Sequence, residues 1–395
     1  SEELDLVREV LASGTLNCTK GTKVKAFEEA FAGLYGVPHA RAVSSGTAAV
    51  HCAISAIDPE PGDEIITTPV TDMGALTPII YEGAIPVFAD VDPVSLNITP
   101  ESVAARVTER TKAIIVTHLF GNPCDMRGIM EVARRTSIPV IEDCAQAFLA
   151  TVDGRPVGTI GEIGAFSLQQ GKHITTGEGG VVISTDDAWA RHVRLFSDKA
   201  WGYGDPSPDH YFLALNYRMT DLQGAVALAQ LAKLSGIVDL RSDAAARLTA
   251  RLDGIEGITL PRPIDGANHV YWKYPLIVDP RVIPGGADAL GGELQKRGLA
   301  CAPRYIQKPA FQCQVFRDLK TFGSSRWPFS LREGVTCGAD LYDEADFPGT
   351  REGLASVVVL PWNELYTDEH LSFIEESIVS AVEILIAGGR QASVG

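Results

Sequence analysis

One lysine lies in a glycine-bounded connection between two apolar segments. Residues 167–180 are S-L-Q-Q-G-K-H-I-T-T-G-E-G-G, and the lysine is Lys172. The segments E-I-G-A-F-S before it and G-V-V-I-S-T after it are typical of β-strands. Glycine allows positive φ and close backbone approach, so this lysine can be held and desolvated, which lowers its pKa and makes the amine nucleophilic. The alternative is a solvated lysine in a surface turn, as most lysines are.

An aspartate ends another apolar segment. Asp143 is the last residue of P-V-I-E-D, which has the composition of a buried strand. A carboxylate in such a place needs a partner. An ion pair or a helix cap would satisfy it, and so would a functional role beside a cationic group.

A serine- and glycine-containing turn opens an alanine-rich helix. Residues 44–49 are S-S-G-T-A-A. Free backbone N–H groups, hydroxyl groups and the positive end of the helix dipole make such a turn an anion site, most naturally for phosphate. Simple N-capping by Ser45 or Thr47 is the alternative.

These three features require a fold that brings distant residues together. We predict strands at 40–43, 64–70, 85–91, 112–118 and 139–143, with helices between them. Continuous apolar strands separated by helices indicate an α/β fold, with a parallel sheet covered on both faces. Ligands bind at the carboxyl ends of such strands, so we expect His118, Asp143 and the 44–47 turn on one rim.

The second part of the chain has a different pattern. We predict a helix at 222–234, a turn at Ser235–Gly236 and a further helix at 241–252. Strands at 271–278 and 299–305, a loop-rich stretch at 306–350 and a final helix at 369–387 then indicate a smaller α+β lobe. The expected division is a large domain at 1–236 and a small C-terminal domain at 237–395.

Length and composition exclude several classes of protein. A chain of 395 residues, 45% hydrophobic and 21% charged, suits a two-domain globular protein. Its net charge of −16 argues against a nucleic-acid partner. No apolar run reaches the ~18 residues of a membrane span, and no signal peptide is visible, so we expect a cytoplasmic protein. The seven cysteines have no C-x-x-C spacing, which favours reduced thiols and no metal.

Together the lysine, the aspartate, the turn and Ser167 describe a site for pyridoxal 5′-phosphate (PLP). A lysine amine forms the Schiff base with the cofactor aldehyde and then carries the proton. A buried carboxylate keeps the pyridine nitrogen protonated, so that the ring can accept electrons. Hydroxyl groups and a helix N-terminus hold the phosphate.

The motifs resemble those of a known family, the sugar and cyclitol aminotransferases of the DegT/StrS type, which are fold-type I PLP-dependent enzymes. The resemblance covers most of the chain, with six motifs in order: S-S-G-T-A-A (44–49), P-V-F-A-D-V-D (86–92), H-L-F-G-N-P-C-D-M (118–126), I-E-D-C-A-Q-A (141–147), G-A-F-S-L-Q-Q-G-K-H-I-T-T-G-E-G-G (164–180) and N-Y-R-M-T-D-L-Q (216–223). It implies a mostly parallel seven-stranded sheet between helices, a smaller α+β domain and a homodimer with active sites at the subunit interface.

The resemblance also implies roles for individual residues. Lys172 matches the lysine that forms the Schiff base and moves the proton, and Asp143 matches the partner of the pyridine nitrogen. Gln146 matches a position near the 3′-oxygen of the ring. The remaining matches concern the cofactor phosphate: Gly46, Thr47 and Ser167 from the same subunit, and Asn216 from the neighbouring one.

The implied activity is transamination. The expected donor is L-glutamate or L-glutamine, and the expected acceptor is a keto sugar, nucleotide-linked, or a keto cyclitol, in the biosynthesis of an amino sugar or aminocyclitol such as those of antibiotics. A PLP-dependent sugar dehydratase, an aminobenzoate-type synthase and a PLP-binding regulator are the alternatives. The dehydratase branch carries histidine where this chain has Lys172, which favours transamination.

Two positions depart from the family pattern. Where the family usually has an aromatic residue that stacks on the cofactor ring, this chain has Asp72. Ring stacking must then come from another residue or be weaker, and Asp72 is a candidate for contacting the substrate. Where the family often has a histidine-bearing segment, this chain reads R-Y-I-Q-K-P-A-F (304–311). Arg304 and Lys308 in that segment are candidates for binding a phosphate or carboxylate, or are simply solvated charges.

Overall fold

The computed structural model describes the backbone of residues 1–392 and the side chains of residues 1–389. Its strands, in chain order, are β1 His39–Val43, β2 Glu64–Thr67, β3 Ile85–Phe88, β4 Thr111–Thr117, β5 Val140–Asp143, β6 Thr151–Val152, β7 Arg155–Pro156, β8 Ile163–Ser167, β9 Gly180–Ser184, β10 Ile258–Thr259, β11 Ala267–Asn268, β12 Lys273–Val278, β13 Ala302–Pro303 and β14 Val357–Pro361.

The helices alternate with these strands in the first half of the chain and surround them in the second. They are α1 Glu2–Ser13, α2 Lys23–Tyr35, α3 Gly46–Ile57, α4 Thr77–Tyr81, α5 Pro100–Ala104, α6 Met126–Thr136, α7 Asp187–Phe196, α8 Asp221–Leu231, α9 Leu234–Leu252, α10 Gly286–Lys296, α11 Gln314–Arg317, α12 Pro348–Ser356 and α13 Asp368–Ala392. Short 3₁₀ turns lie at Met73–Ala75, Leu119–Gly121, Ala310–Gln312, Phe329–Leu331, Gly338–Asp340 and Glu344–Asp346. None of the helices within residues 1–392 combines the length and apolar character needed to cross a membrane.

The large sheet has seven strands in the order β1-β9-β8-β5-β4-β2-β3. The strands from β8 to β3 pair in parallel, whereas β9 runs antiparallel to both of its neighbours, β8 and β1. The mostly parallel seven-stranded sheet implied by the family resemblance is therefore confirmed. The carboxyl ends of β4, β5 and β8 lie side by side, which brings the residues that follow these strands to one edge.

Both faces of this sheet are buried, and the strand sequences show why. Successive side chains of a strand point to opposite faces. Ile65 and Ile115 accordingly belong to an apolar cluster on one face, with helix α3, while Ile66 and Val116 belong to a cluster on the other face, with helix α2. A strand that is apolar at every position is stable only with helices on both sides.

The second half of the chain forms its own small sheet. Its four strands run in the order β10-β12-β14-β13, and all neighbours are antiparallel. An apolar cluster of its own fills the space between this sheet and helices α9, α10 and α13. This α+β lobe lies against the large sheet through the segment before β12, where the Trp272 N–H donates to Phe120 O at 2.8 Å.

The structure differs from the sequence-based prediction at three places in this second half. Ser235 and Gly236 do not form a turn but lie inside helix α9, because apolar residues such as Leu234 and Val238 are buried one turn apart and fix the helix there. Strand β14 lies at the centre of the small sheet although we predicted no strand at these positions. The predicted strand at 299–305 shrinks to β13, which pairs with β14.

Candidate active site

A cavity of about 680 Å³ opens at the carboxyl edge of the large sheet. Its walls come from the start of helix α3, the turn before α4, the segments after β5 and β8, and two segments of the small lobe. The residues lining it are Ser45, Gly46, Thr47, Val50, Thr71, Asp72, Gly74, Ala75, Leu119, Asp143, Ala145, Gln146, Ser167, Gln169, Lys172, Glu178, Trp272, Tyr305 and Ile306. Six of the seven residues that the sequence assigned to one site therefore line one cavity.

Lys172 lies on the connection between β8 and β9. Its backbone N–H donates to Gln169 O at 3.0 Å, which closes a tight turn around Gly171. Burial lowers the pKa of the Lys172 amine from its ordinary value, the carboxylates of Asp143 and Asp72 raise it in part, and the charge of Lys273 lowers it again. The amine is thus desolvated and faces carboxylates across the cavity.

Asp143 ends strand β5, where its side chain is 5% exposed. The Ala145 N–H donates to Asp143 Oδ1 at 3.0 Å. Burial raises the pKa of this carboxyl, whereas the Ala145 N–H and the Lys172 charge hold it down in part. The second carboxylate oxygen remains free to accept a hydrogen bond, and an acceptor is what a protonated ring nitrogen requires.

The turn at the start of helix α3 forms a close-fitting cradle. Ser45 caps the helix, since the Ala48 N–H donates to Ser45 Oγ at 3.0 Å. A Cβ on Gly46 would lie 2.6 Å from Ser167 Cβ, and a Cβ on Gly74 would lie 2.5 Å from Thr47 Oγ1. The two glycines thus leave room where larger residues would fill the cradle, and hydroxyl groups surround it.

Gln146 is held by the turn that follows β4. The Phe120 N–H donates to Gln146 Oε1 at 2.6 Å, and the residue is buried. Because the carbonyl oxygen is engaged with the backbone, the amide NH₂ is the end left to interact with a bound molecule.

Asn216 is the exception among the predicted site residues. It is exposed and lines a different depression of about 520 Å³, together with Asn17 and Arg218. The segment of Asn216 is nevertheless attached to the turn that forms the cradle, since the Ser44 N–H donates to the carbonyl oxygen of Tyr217 at 2.8 Å. Within one chain, then, Asn216 does not reach the cavity of Lys172.

Three further residues line the cavity whose contacts the sequence did not predict. Asp72 caps the 3₁₀ turn that follows it, since the Gly74 N–H donates to Asp72 Oδ1 at 2.8 Å. Trp272 and Tyr305, whose ring centroids are 6.5 Å apart, come from the small lobe. No local sequence signal links Trp272 to Lys172, because the contact depends on how the two lobes pack.

Other candidate residues lie outside the cavity. Arg304 and Lys308 do not line it, and the Arg304 guanidinium is 3.8 Å from the Asp288 carboxylate. They are therefore not placed to bind an anion in this cavity. His118, expected on the rim, is fully buried behind it.

His118 instead belongs to a buried network beneath the site. Its Nε2 lies 3.1 Å from Glu142 Oε2, and the Cys124 N–H donates to its Nδ1 at 3.1 Å. Glu142 also accepts from the Gly161 N–H at 2.6 Å. The side chains of His118, Glu142 and Cys144 lie close enough together to resemble a metal-binding group. Both ring nitrogens of His118, however, already have hydrogen-bond partners. The network fixes the ends of β4 and β5.

A second cavity, of about 760 Å³, lies at the β3 edge of the large sheet. Three arginines line it, but each of them lies beside a carboxylate, and two of them share one. Arg332 is 2.6 Å and Arg110 is 3.6 Å from Glu64, and Arg106 is 3.2 Å from Asp346. None of the predicted site residues lines this cavity, so its size alone does not make it the functional site.

The residues of the first cavity fit PLP. The cradle formed at Gly46 and Gly74 offers hydroxyl groups and a helix N-terminus for a phosphate, and the buried Asp143 offers an acceptor for a ring nitrogen. Lys172 supplies a desolvated amine in the same space.

Comparison with known proteins gives a consistent result. The model of the DegT/DnrJ/EryC1/StrS aminotransferase family matches residues 1–332. The spore coat polysaccharide biosynthesis protein SpsC of Bacillus subtilis is 38% identical over 71% of this chain and 74% of its own length. The GDP-perosamine synthase of Caulobacter vibrioides is 38% identical over 64% and 68%. The X-ray structure of an aminotransferase from Psychrobacter cryohalolentis is 30% identical, covers 97% of both chains and has a TM-score of 0.85.

Proposed function

Because the chain belongs to the DegT/DnrJ/EryC1/StrS aminotransferase family and is a PLP-dependent aminotransferase of fold type I, we propose that it aminates a keto sugar or keto cyclitol. The amino group comes from L-glutamate or L-glutamine, and the product is an amino sugar or aminocyclitol. The name of the GDP-perosamine synthase relative supports a nucleotide-linked keto sugar as the acceptor.

The observation that carries this proposal is the meeting of Lys172 and Asp143 in one cavity. Asp143 ends strand β5 and Lys172 follows strand β8, and these two strands are paired neighbours. The charge of each acts on the pKa of the other. A buried acid opposite a desolvated amine is the arrangement that amino-group transfer through PLP needs.

When bound, PLP supplies an aldehyde that receives amino groups and a ring that stabilises negative charge on the adjacent carbon. Asp143 would hold the proton on the ring nitrogen, and Gln146 would contact the ring. Gly46, Thr47 and Ser167 would bind the phosphate, since all three line the cradle.

Lys172 would hold the cofactor and then move the proton with its Nζ atom. Because burial lowers the pKa of this amine, a larger fraction of it is uncharged near neutral pH than of an exposed lysine. An uncharged amine is the form that attacks a carbonyl and accepts a proton.

The active protein would be a homodimer with shared sites. Asn216 lies outside the cavity of its own chain, in a segment where Leu213 is 95% exposed. A leucine this exposed, close to Leu215 and Tyr211, which are also exposed, is typical of a surface covered by a partner. We propose that Asn216 of each protomer contacts the cofactor phosphate of the other.

We also propose that the chain divides functionally into a PLP-binding domain at 1–236 and a small domain at 237–395. The separate small sheet, and the apolar cluster between it and helices α9, α10 and α13, support this division. The stretch at 310–347 instead packs its buried apolar residues into a cluster of the large sheet. Helix α9 spans the proposed boundary and connects the two parts.

A donor and acceptor screen tests the function. Protein loaded with PLP should lose the visible absorption of the bound cofactor on addition of L-glutamate or L-glutamine, with the matching keto acid released. Keto sugars, with and without a nucleotide, and keto cyclitols should then restore it, and mass spectrometry should find the carbonyl oxygen replaced by an amino group. Loss of a hydroxyl group or aromatisation of the product would overturn the proposal, as would the absence of any response to both donors.

A further inference from the structure

The amine of Lys172 lies against an aromatic face. Its Nζ is 4.3 Å from the centroid of the Trp272 ring. An ammonium group within about 6 Å of an indole face is attracted by the negative face of the ring. Trp272 is 8% exposed, so the contact is shielded from water on the indole side.

Trp272 is itself held at two points. Its backbone N–H donates to Phe120 O at 2.8 Å. Its indole Nε1–H donates to Gly171 O at 2.6 Å, directly before Lys172 in the chain. The indole is thus fixed both to the turn that holds Gln146 and to the loop that carries the lysine.

A second amine approaches the same ring. Lys273 Nζ is 5.1 Å from the Trp272 centroid, but Lys273 does not line the cavity. Lys273 thus shares the aromatic neighbour of Lys172 but not its cavity, and it offers a matched comparison for Lys172.

We propose that Trp272 is a positioning residue that holds the amine of Lys172 beside the reacting atoms when the amine is not bonded to the cofactor and carries the proton. This inference rests on the proposed role of Lys172 as the proton carrier. A lysine side chain has about 2 kcal/mol of rotamer entropy, and a free amine on such a chain would otherwise sample the whole cavity. The indole face restricts the amine to the side of the cavity where Trp272 lies. The indole N–H, bonded to Gly171 O, holds the loop that carries Lys172 in place.

Trp272 variants test this by nuclear magnetic resonance on the full chain, labelled with ¹³C at lysine Cε. PLP is first removed with hydroxylamine, which takes up the aldehyde as an oxime and frees the Lys172 amine, and the oxime is then dialysed away. Lys172→Met identifies the Lys172 signal. The Hε protons of Lys172 should resonate upfield of ordinary lysines because of the indole ring current. Trp272→Leu should abolish this shift, and Trp272→Phe should reduce it, whereas Lys273→Met should leave it in place. An ordinary Lys172 shift in the parent protein, or the same upfield shift in Trp272→Leu, overturns the inference.

Kinetics of the PLP-loaded variants supply the second readout. Trp272→Leu should slow the donor half-reaction between about tenfold and a hundredfold, with the donor KM changed much less, because orientation rather than binding is lost. A loss of kcat/KM of the same size that came only from a higher KM, with kcat unchanged, would contradict a positioning role. If circular dichroism shows Trp272→Leu to be unfolded, Trp272→Phe decides, and an unchanged Lys172 shift in it overturns the inference. Failure of the parent protein to react with any donor would instead overturn the proposed function, and the resonance of Lys172 would still decide the contact.

Discussion

Gly46 and Ser167 approach so closely that no side chain fits between them. A Cβ built on Gly46 would lie 2.6 Å from Ser167 Cβ and 2.8 Å from Ser167 Oγ. Gly46 is the first residue of helix α3, and Ser167 is the last residue of strand β8. The proposed phosphate cradle therefore depends on the packing of a helix start against a strand end.

Gly46→Ala should weaken PLP binding by displacing Ser167. Gly46 has a negative φ, so alanine strains no backbone angle there, and the effect comes from overpacking, which costs about 1–3 kcal/mol. We expect a roughly tenfold to hundredfold higher dissociation constant for PLP, measured by absorbance titration. The control is Gly236→Ala, since a Cβ there meets nothing within 4 Å, and alanine should stabilise helix α9 by about 0.5–1 kcal/mol. An unchanged PLP affinity in Gly46→Ala would argue against a phosphate at this turn.

Lys172→Ala should abolish transamination. It removes both the amine that receives the cofactor and the proposed proton carrier, and general acid–base catalysis alone contributes about 10²–10⁴-fold. Borohydride treatment should leave PLP attached to the parent protein and not to this variant, as peptide mass spectrometry would detect. Lys308→Ala, which changes an exposed lysine outside the cavity, should behave as the parent protein. Retained covalent attachment in Lys172→Ala would require another lysine as the site.

Asp143→Asn should impair chemistry more than cofactor binding. Asparagine has nearly the same size as aspartate but is uncharged, so it cannot keep a proton on the ring nitrogen. The effect of the Asp143 charge on the pKa of Lys172 is lost as well. We expect the donor half-reaction to slow at least about a hundredfold, measured by stopped-flow absorbance, with PLP still bound through the cradle. Asp125→Asn, a change in the cap of helix α6, is the control. A half-reaction as fast as in the parent protein would show that Asp143 does not face the ring nitrogen.

The sequence was sufficient to predict the convergence of Lys172 and Asp143. Asp143 ends a continuous apolar strand, and the carboxyl ends of parallel strands meet at one edge of a sheet. Lys172 was assigned to the same site because the combined motifs describe a site for PLP. The turn at Gly46 was predictable for a different reason, because the local S-S-G-T motif is sufficient to indicate a turn that opens a helix. Where local composition decides the structure, as in the strands predicted at 112–118 and 139–143, the predicted bounds agree with those of β4 and β5 to within one residue.

Packing between distant segments was not predictable. Ser235 and Gly236 favour a turn locally, but the buried residues on either side keep the helix continuous. Trp272 reaches Lys172 only because the small lobe docks on the turn at Phe120. The burial of His118 likewise depends on Glu142, a residue of the neighbouring strand, and not on its own surroundings in sequence.

Two buried histidines should make the protein sensitive to acid. Burial lowers the pKa of His173 and of His269 to about 3, against an ordinary value of 6.5. The unfolded chain therefore binds these protons first as the pH falls, so their contribution to stability is complete above about pH 6.5 and is lost towards pH 3. Each group should add up to about 1.4 kcal/mol per pH unit to the slope of the unfolding free energy in this window.

His269→Gln should flatten this acid slope. Urea unfolding at a series of pH values between 3.5 and 6.5 measures the slope, which is independent of any constant loss of stability in the variant. The exposed His370 provides the control, because His370→Gln removes a histidine without removing a buried one. Equal slopes in the parent protein and His269→Gln would show that His269 is not buried in its neutral form.

The sharing of sites between protomers can be tested by mixing two inactive variants. If Asn216 serves the neighbouring site, a dimer of one Lys172→Ala protomer and one Asn216→Ala protomer contains one site with both mutations and one with neither. Random assembly of equal amounts then makes half of the dimers mixed, so about a quarter of the parent activity should return. The readout is the rate of product formation before and after the two variants are unfolded together and refolded, or after they are co-expressed.

Mixing Lys172→Ala with Asp143→Asn is the control for this experiment, since both residues line the cavity of the same chain. A mixed dimer of these variants has one defective residue in each site, so no activity should return. Recovery with Asn216→Ala but not with Asp143→Asn would place Asn216 at the partner's site, because only a residue contributed across the interface can be complemented in this way. Absence of recovery in both mixtures, with mixed dimers detected by mass spectrometry, would show that each protomer completes its own site.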